Sequence, residues 1–458
     1  MLNITNIEEQ LRAKASMEQN RKLWEEIEQN GGVEIYIQKA LAVRNITVRP
    51  RQSILKMSPK ELESYVADRE AEDKVRRELM PGIWEAYKST HVVELGDGVF
   101  WQDTVGVDFF DPYKRSERIE DNALPKIETV GELIKCFSTV VPDMNYPLLR
   151  WYCYHRNVAE TVHYHQFSFP KKSGGTRQIW APLPNMKAMQ KWILENILER
   201  IPTHDAAHGF IRNRSIVSNA SAHTNSSVVI NMDLKDFFPT LTFPRVKGIF
   251  RAIGYLEGIA TLFALICTEA PRVTRKIKNS YGTDSFVHIA TGPRCLPQGS
   301  PASPMLTNIA CLRLDRRLSG LANKYGFRYT RYADDLTFSF PEGTRSIEPD
   351  HLITCVSQIV KAEGFQIHPD KTSIQGKGKR QEVTGLVVNG DGHPRVSREV
   401  RRMLKAAIHN QEQGKSFHED ESVEVLLGYA SYIFSANPTE GREKIEKLLR
   451  LVEPIPEE

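Results

Sequence analysis

Two aspartates, Asp334 and Asp335, stand side by side in RYADDLTFSF (331–340), a run of aromatic and β-branched residues otherwise suited to a strand. Strands are depleted in Asp, and like charges in contact repel. The pair therefore marks either an exposed hairpin turn or a place where positive charge is held. A third carboxylate, Asp233, ends the apolar run VVINMD (228–233). A carboxylate at the end of a buried strand is costly unless it is paired or bound to a cation. If FRYTRYADDLTFSF (327–340) folds as a hairpin beside the Asp233 strand, the three side chains converge. They would form an all-oxygen ligand set suited to Mg²⁺, with substrate phosphates completing the octahedra. Two such ions can activate an attacking hydroxyl and stabilise a leaving pyrophosphate.

The elements that must position these residues are legible around them. SSVVINM (226–232) is the nearly continuous apolar pattern of a strand buried on both faces. HYHQFSFPKKSGGTRQIWAPLP (163–184) reads as two strands around a Gly-Gly turn, with Lys171, Lys172 and Arg177 on the hairpin. The following NMKAMQKWILENILERIP places Met186, Met189, Ile193 and Ile197 at helical spacing, as a core stripe. Residues 1 to about 130 are polar and helical in pattern. Ser58 and Glu61 there form a capping box, and strand-like residues interrupt the helices at 91–112. No catalytic constellation is visible in that extension. Residues 371–405 hold nine Lys/Arg against three Asp/Glu, and the last 50 residues are helical in pattern.

The bulk composition sets the class. The chain has 458 residues, 40% hydrophobic and 26% charged, enough for two to four structural units. A net charge of +4 is compatible with a nucleic-acid partner without requiring one. The six cysteines are scattered with no CxxC pair, which argues against a zinc site or a disulfide framework and fits a reducing compartment. The N-terminus lacks a signal-peptide layout, and the longest apolar stretch, IATLFALIC (259–267), is too short to span a bilayer. A cytoplasmic protein is expected.

The motifs also carry a family resemblance. YADD, with DLKDFF (233–238) upstream and LPQGSPASP (296–304) between them, resembles the palm of reverse transcriptases in order and spacing. PKKSGGTRQIWAPLP (170–184) and GFQIHPDKTSI (364–374) match the same family. Two further elements resemble its retron subgroup: Asn219-Ala220-Ser221-Ala222-His223 as NAxxH, and Val383-Thr384-Gly385 as VTG. HDAAHGFIRNRSI (204–216) also looks typical of that group, and the resemblance covers about 140–440.

The resemblance implies an α+β right-hand polymerase fold with a mainly helical N-terminal extension (1–135). Fingers with a retron-specific region would take 136–228, the palm 229–395 with a fingers insertion at about 245–290, and the thumb 396–458. It implies that Asp233, Asp334 and Asp335 are the catalytic metal ligands, for two Mg²⁺ ions with Mn²⁺ as a substitute. Lys172, Arg177, Phe238, Gln298, Gly299 and Lys371 would bind the nucleotide. Phe238 would be the steric gate that leaves no room for a 2′-OH; Phe237 and Phe238 could instead both be core. Asn219, His223, Arg395, Arg398, Arg401, Arg402 and Lys405 would bind RNA. Asn219 and His223 could instead be a cap and a packed histidine. Arg398, Arg401, Arg402 and Lys405 are spaced as one basic helical face.

The resemblance further implies a structured non-coding RNA of msr-msd type as template and primer, and dNTPs as substrates. Priming from an internal guanosine 2′-OH would give branched RNA–DNA. A bacterial anti-phage system, a separate effector protein, a host RNase H, higher-order assembly and no membrane partner complete the expectation. The alternatives are an abortive-infection or group II intron-like reverse transcriptase, or an RNA-binding module or antitoxin that restrains an effector. The short span after VTG weighs against an intron enzyme with a maturase region, and the presence of all three aspartates weighs against a module without catalysis.

Overall fold

The computed structural model describes residues 18–46, 57–96, 99–102, 115–170, 175–278, 284–341, 348–389, 392–413, 415 and 422–451. Lys171 and Lys172 lie outside the described residues.

The apolar run before Asp233 forms strand β1 (Ser226–Asp233), in which Val229, Ile230 and Met232 are buried. Asn231, polar within that strand, is satisfied: it accepts from the Thr337 hydroxyl at 3.1 Å and donates to the Glu382 carbonyl at 2.9 Å. The DD segment forms a hairpin of β2 (Arg328–Tyr332) and β3 (Asp335–Pro341), and β4 (Ser373–Gly376) completes the sheet. The order is β4-β1-β3-β2, with every neighbouring pair antiparallel. This register sets Asp335 directly opposite Asp233 on one side and Tyr332 on the other.

Helices Leu312–Tyr325 and Pro349–Ala362 belong to the core that includes this sheet. They bury Leu314, Leu318 and Ala322 on one and Leu352, Val356 and Val360 on the other. Both triplets recur every four residues, the spacing of a single helix face. Tyr164–Pro170 and Thr176–Pro182 form the expected hairpin. Met186, Met189, Ile193 and Ile197 are all buried, as their spacing predicts. IATLFALIC lies in the helix Glu257–Cys267, buried from Ile259 to Cys267. Among the described residues, no helix is long and apolar enough to cross a membrane.

Among the described residues, two smaller cores accompany the main one. One gathers Val383, Leu386, Val396, Leu404, Leu426, Ile433 and Leu448 with Ala220 and Val229. It joins the short strands Glu382–Val383, Leu386–Val387 and Arg395–Val396 to helices Arg398–Glu412, Val423–Ala436 and Pro438–Arg450. The short strands thus share one core with the C-terminal helices. The other core packs Ile27, Ile37, Leu41, Val75 and Ile83 from the N-terminal helices, including Val33–Val43 and Pro59–His91. The capping box is formed at the start of the long helix: Ser58 N–H meets Glu61 at 2.9 Å, and Glu61 N–H meets the Ser58 hydroxyl at 3.4 Å. The α+β content and the helical N-terminal extension are as the sequence predicts.

Candidate active site

The three aspartates converge because β1 ends where β3 begins. Asp233 closes β1, Asp335 opens β3, and Asp334 occupies the turn between β2 and β3. Ala333 takes the left-handed conformation (φ 56°) that this tight turn demands, and the Leu234 N–H donates to the Asp334 carbonyl at 2.9 Å. On the other side of Asp233, its carbonyl accepts the His368 N–H at 2.7 Å. That bond brings in Lys371, whose Nζ lies 2.7 Å from Asp233 Oδ2.

Negative charge is crowded at this point. Burial is the largest influence on Asp334 and raises it; Asp233 adds to the rise, while Lys371 and Arg177 oppose it. Asp335 is pushed up to about 7 by the protein packed around it and then by Asp334 and Asp233. Lys371 is raised, first by its hydrogen bond to Asp233. Among the described residues, no three His, Cys, Asp or Glu side chains are gathered closely enough to enclose a cation by themselves. The donor set is nonetheless all carboxylate, and two of its members are raised, Asp334 half-buried and Asp335 still open to solvent beside two neighbouring carboxylates. Such a set suits a hard divalent ion that shares its coordination with substrate phosphates.

Of the nucleotide-side candidates, Lys371 and Arg177 are tied to the aspartates, and Lys172 lies outside the described residues. Phe237 is buried and packs near Phe365, with ring centroids 5.8 Å apart, whereas Phe238 is only half-buried. Of the two rings, Phe238 is the one with a face left for a ligand. The Gln298 carbonyl accepts the Trp180 N–H at 2.7 Å, tying the LPQG loop to the hairpin of Tyr164–Pro170 and Thr176–Pro182. Gly299 sits at φ 126°, where a Cβ would lie 2.7 Å from the Trp180 carbonyl oxygen. Only glycine permits that approach. Arg177 is exposed on the hairpin, and its charge reaches Asp334.

The RNA-side candidates divide. Asn219 and His223 are wholly buried. The two His223 ring nitrogens lie 2.7 Å from the hydroxyls of Ser339 and Thr330, and Asn219 Nδ2 donates to Thr384 Oγ1 at 3.5 Å. The NAxxH and VTG elements therefore meet each other inside the protein, and neither side chain faces solvent. On the helix Arg398–Glu412, Arg398, Arg402 and Lys405 are exposed. Arg401 is turned away from them into a two-armed bridge with Glu440, at 3.0 and 2.9 Å. Arg395 is half-buried and donates to the Asn389 carbonyl at 3.2 Å.

Two features are not evident from the sequence. Phe167 and Phe169 are exposed and pack edge to face, with centroids 5.4 Å apart; Phe169 stands directly opposite Arg177. Their alternation in a strand was the available signal. Under the turn that holds Asp334, Arg331 is fully buried against Asp315 and Asn308. Its strand, RYTRY, holds a second arginine, Arg328, so the sequence alone did not single Arg331 out.

Comparison with known proteins identifies the family. Residues 169–389 match the family model for reverse transcriptase (RNA-dependent DNA polymerase). The chain is 43% identical over 436 residues to the Retron Mx162 reverse transcriptase of Myxococcus xanthus, covering 93% of this chain and 88% of that one. It is 38% identical over 307 residues to the Retron Mx65 reverse transcriptase of the same organism, covering 67% of this chain and 68% of that one. Identity to the Retron Ec86 reverse transcriptase of Escherichia coli is 34% over 276 residues, covering 60% of this chain and 76% of that one.

Proposed function

This chain belongs to the retron reverse transcriptases, and we propose that it copies a structured non-coding RNA into branched RNA–DNA at Asp233, Asp334 and Asp335, starting from an internal guanosine 2′-OH. RNA-directed DNA polymerase activity follows from the family. The particular site rests on one observation above all: Asp233 stands opposite Asp335 across β1 and β3, with Asp334 in the adjoining turn. The three carboxylates would hold divalent metal, Mg²⁺ or Mn²⁺. When bound, a metal pair activates the attacking hydroxyl and stabilises the leaving pyrophosphate.

The protein's own side chains do the remaining work. Arg177, whose charge reaches Asp334, would grip the triphosphate, since a guanidinium can bind phosphate oxygens with two arms. Lys172 would assist from the same hairpin. Phe238 would lie under the sugar and exclude a 2′-OH. Gln298 and Gly299 would let backbone approach the incoming nucleotide closely. Lys371, bonded to Asp233, would fix the orientation of that carboxylate and lend it positive charge between substrates. Arg398, Arg402 and Lys405 would hold RNA phosphates along one exposed helix face. Arg401 would support that helix through Glu440, and Asn219 and His223 would act on RNA indirectly by shaping the palm–thumb junction. A separate effector, host RNase H trimming and a role in defence against phage belong to the same proposal.

The test is the nucleic acid that co-purifies with the protein from its native operon. A discrete DNA carrying an RNase-sensitive branch, absent from the D334A/D335A variant, supports the proposal. RNA without DNA in both wild type and variant would replace it with a binding-module role.

A further inference from the structure

Resting on that site reading, we infer that Arg331 is a positioning residue that holds the catalytic turn in shape from beneath, with Asn308 and Asp315 as its supports. The guanidinium is wholly buried, as is Asp315, and Asn308 is 1% exposed. All three guanidinium nitrogens are engaged. Nε and Nη2 form a fork on Asp315 at 2.8 and 2.7 Å, while Nη1 reaches Asn308 Oδ1 at 3.0 Å and the Ala333 carbonyl at 3.1 Å. That last bond touches the turn itself. Ala333 is the left-handed residue immediately before Asp334, a conformation costly for a residue with a Cβ unless its surroundings enforce it.

The same residue fastens the turn to the loop behind it. Arg331 N–H donates to the Ala206 carbonyl, and the Arg331 carbonyl accepts from the His208 N–H, both at 2.7 Å. Asn308 Nδ2 donates to the Gly209 carbonyl at 2.9 Å. Gly209 lies so close that a Cβ there would be 2.6 Å from the Ala333 nitrogen. The guanidinium thus links Asn308 on the helix Ser303–Ala310 to the aspartate turn, while the Arg331 backbone and the Asn308 amide fasten both to the loop at 206–209.

Stability alone does not require an ion pair here. A buried pair replaced by apolar residues of similar volume is often neutral or stabilising. What apolar residues could not supply is a fixed donor on the Ala333 carbonyl. A small displacement of a catalytic group can cost about a hundredfold in rate. The contribution of Arg331 should therefore appear in turnover rather than in folding.

The experiment compares the full-length chain with three variants on a generic primer-template. Arg331→Met/Asp315→Leu removes the pair together, Arg331→Lys keeps the charge but not the fork, and D334A/D335A reports on the site itself. Thermal melting, kcat and KM for dNTP, and Mn²⁺ binding by electron paramagnetic resonance without substrate are measured for each. The double apolar variant should melt at or above the parent temperature, keep KM within about threefold, and lose about 10- to 100-fold in kcat. Its Mn²⁺ binding should weaken several-fold as the aspartates lose their fixed spacing. Arg331→Lys should show the same loss of kcat, because an ammonium has no second arm for Ala333. A folded double variant with parental kcat and Mn²⁺ binding overturns the inference. Full activity in Arg331→Lys does so too, since neutralising Asp315 would then suffice; that variant decides the matter if the double variant does not fold. Activity in D334A/D335A would instead bring down the site reading on which the inference rests.

Discussion

Phe238 and Phe237 are adjacent and chemically identical, yet the fold separates them: one is sealed against Phe365 and the other keeps an open face. If the open ring blocks a 2′-OH, Phe238→Ala should raise ribonucleotide use relative to deoxyribonucleotide use by roughly tenfold or more, because the barrier is steric contact with one group. Single-nucleotide incorporation measures the ratio, and an unchanged ratio would show that the gate lies elsewhere. His223 makes a different prediction. Burial, then the charges of Arg328 and His208, hold its ring down to about 3 from an ordinary 6.5. The unfolded chain accepts a proton below 6.5 that the folded chain refuses. The stability tied to neutral His223 is therefore complete above 6.5 and drains away as pH falls toward 3. His208, held down to about 4 mainly by burial, acts in the same direction. His223→Gln should melt lower than the parent at pH 7 but lose less stability between pH 7 and 4, as followed by calorimetry. Parallel acid profiles for parent and variant would remove His223 as the responsible group.

At the scale of elements, the basic helix shows how far spacing can be read. The sequence places Arg398, Arg401, Arg402 and Lys405 at intervals of three and four, and the helix forms as that pattern predicts. Spacing cannot reveal that Glu440, on a helix that arrives later in the chain, claims Arg401. Substituting Arg398, Arg402 and Lys405 with Ala should therefore lower the slope of log affinity for RNA against log salt by about 2 to 3, at about 0.7 to 0.9 for each phosphate no longer neutralised. Arg401→Ala should leave that slope nearly unchanged and lower the melting temperature instead. If the triple variant keeps the parental slope, the face is merely solvated. The same limit separates what else was legible. Asp233 and the DD pair could be found because strand ends and turns are local features, and the antiparallel pairing of β1 and β3 then followed. The burial of Asn219 and His223 depended on partners more than 100 residues away: Thr384, Thr330 and Ser339. Arg331 was hidden similarly, since Asp315 and Asn308 acquire meaning only once their helices lie under the turn.

At the scale of the molecule, the N-terminal extension raises the question of where the polymerase begins. Its helices have a core of their own around Ile27, Ile37, Leu41, Val75 and Ile83. The chain that follows does not share that independence. Leu95 is 1% exposed within the main core, its carbonyl accepts the His155 N–H at 2.8 Å, and Gly96 bridges His155. Val92–Glu94 pairs with Phe100–Gln102, so the small hairpin forms one piece with Leu95. The functional boundary should consequently lie near the end of the helix Pro59–His91 rather than at the composition change near 135. Deleting residues 1–90 should leave dNTP incorporation on a generic primer-template within about threefold, since it removes a separate cluster and no candidate site residue. Deleting residues 1–102 takes Leu95 as well, and losing a buried leucine costs about 2–5 kcal/mol. That shorter protein should melt lower and lose activity in parallel with its stability. Incorporation that collapses in a folded protein lacking only residues 1–90 would assign the extension a direct part in polymerisation. Intact incorporation with altered sedimentation would place its role in assembly with RNA or protein partners.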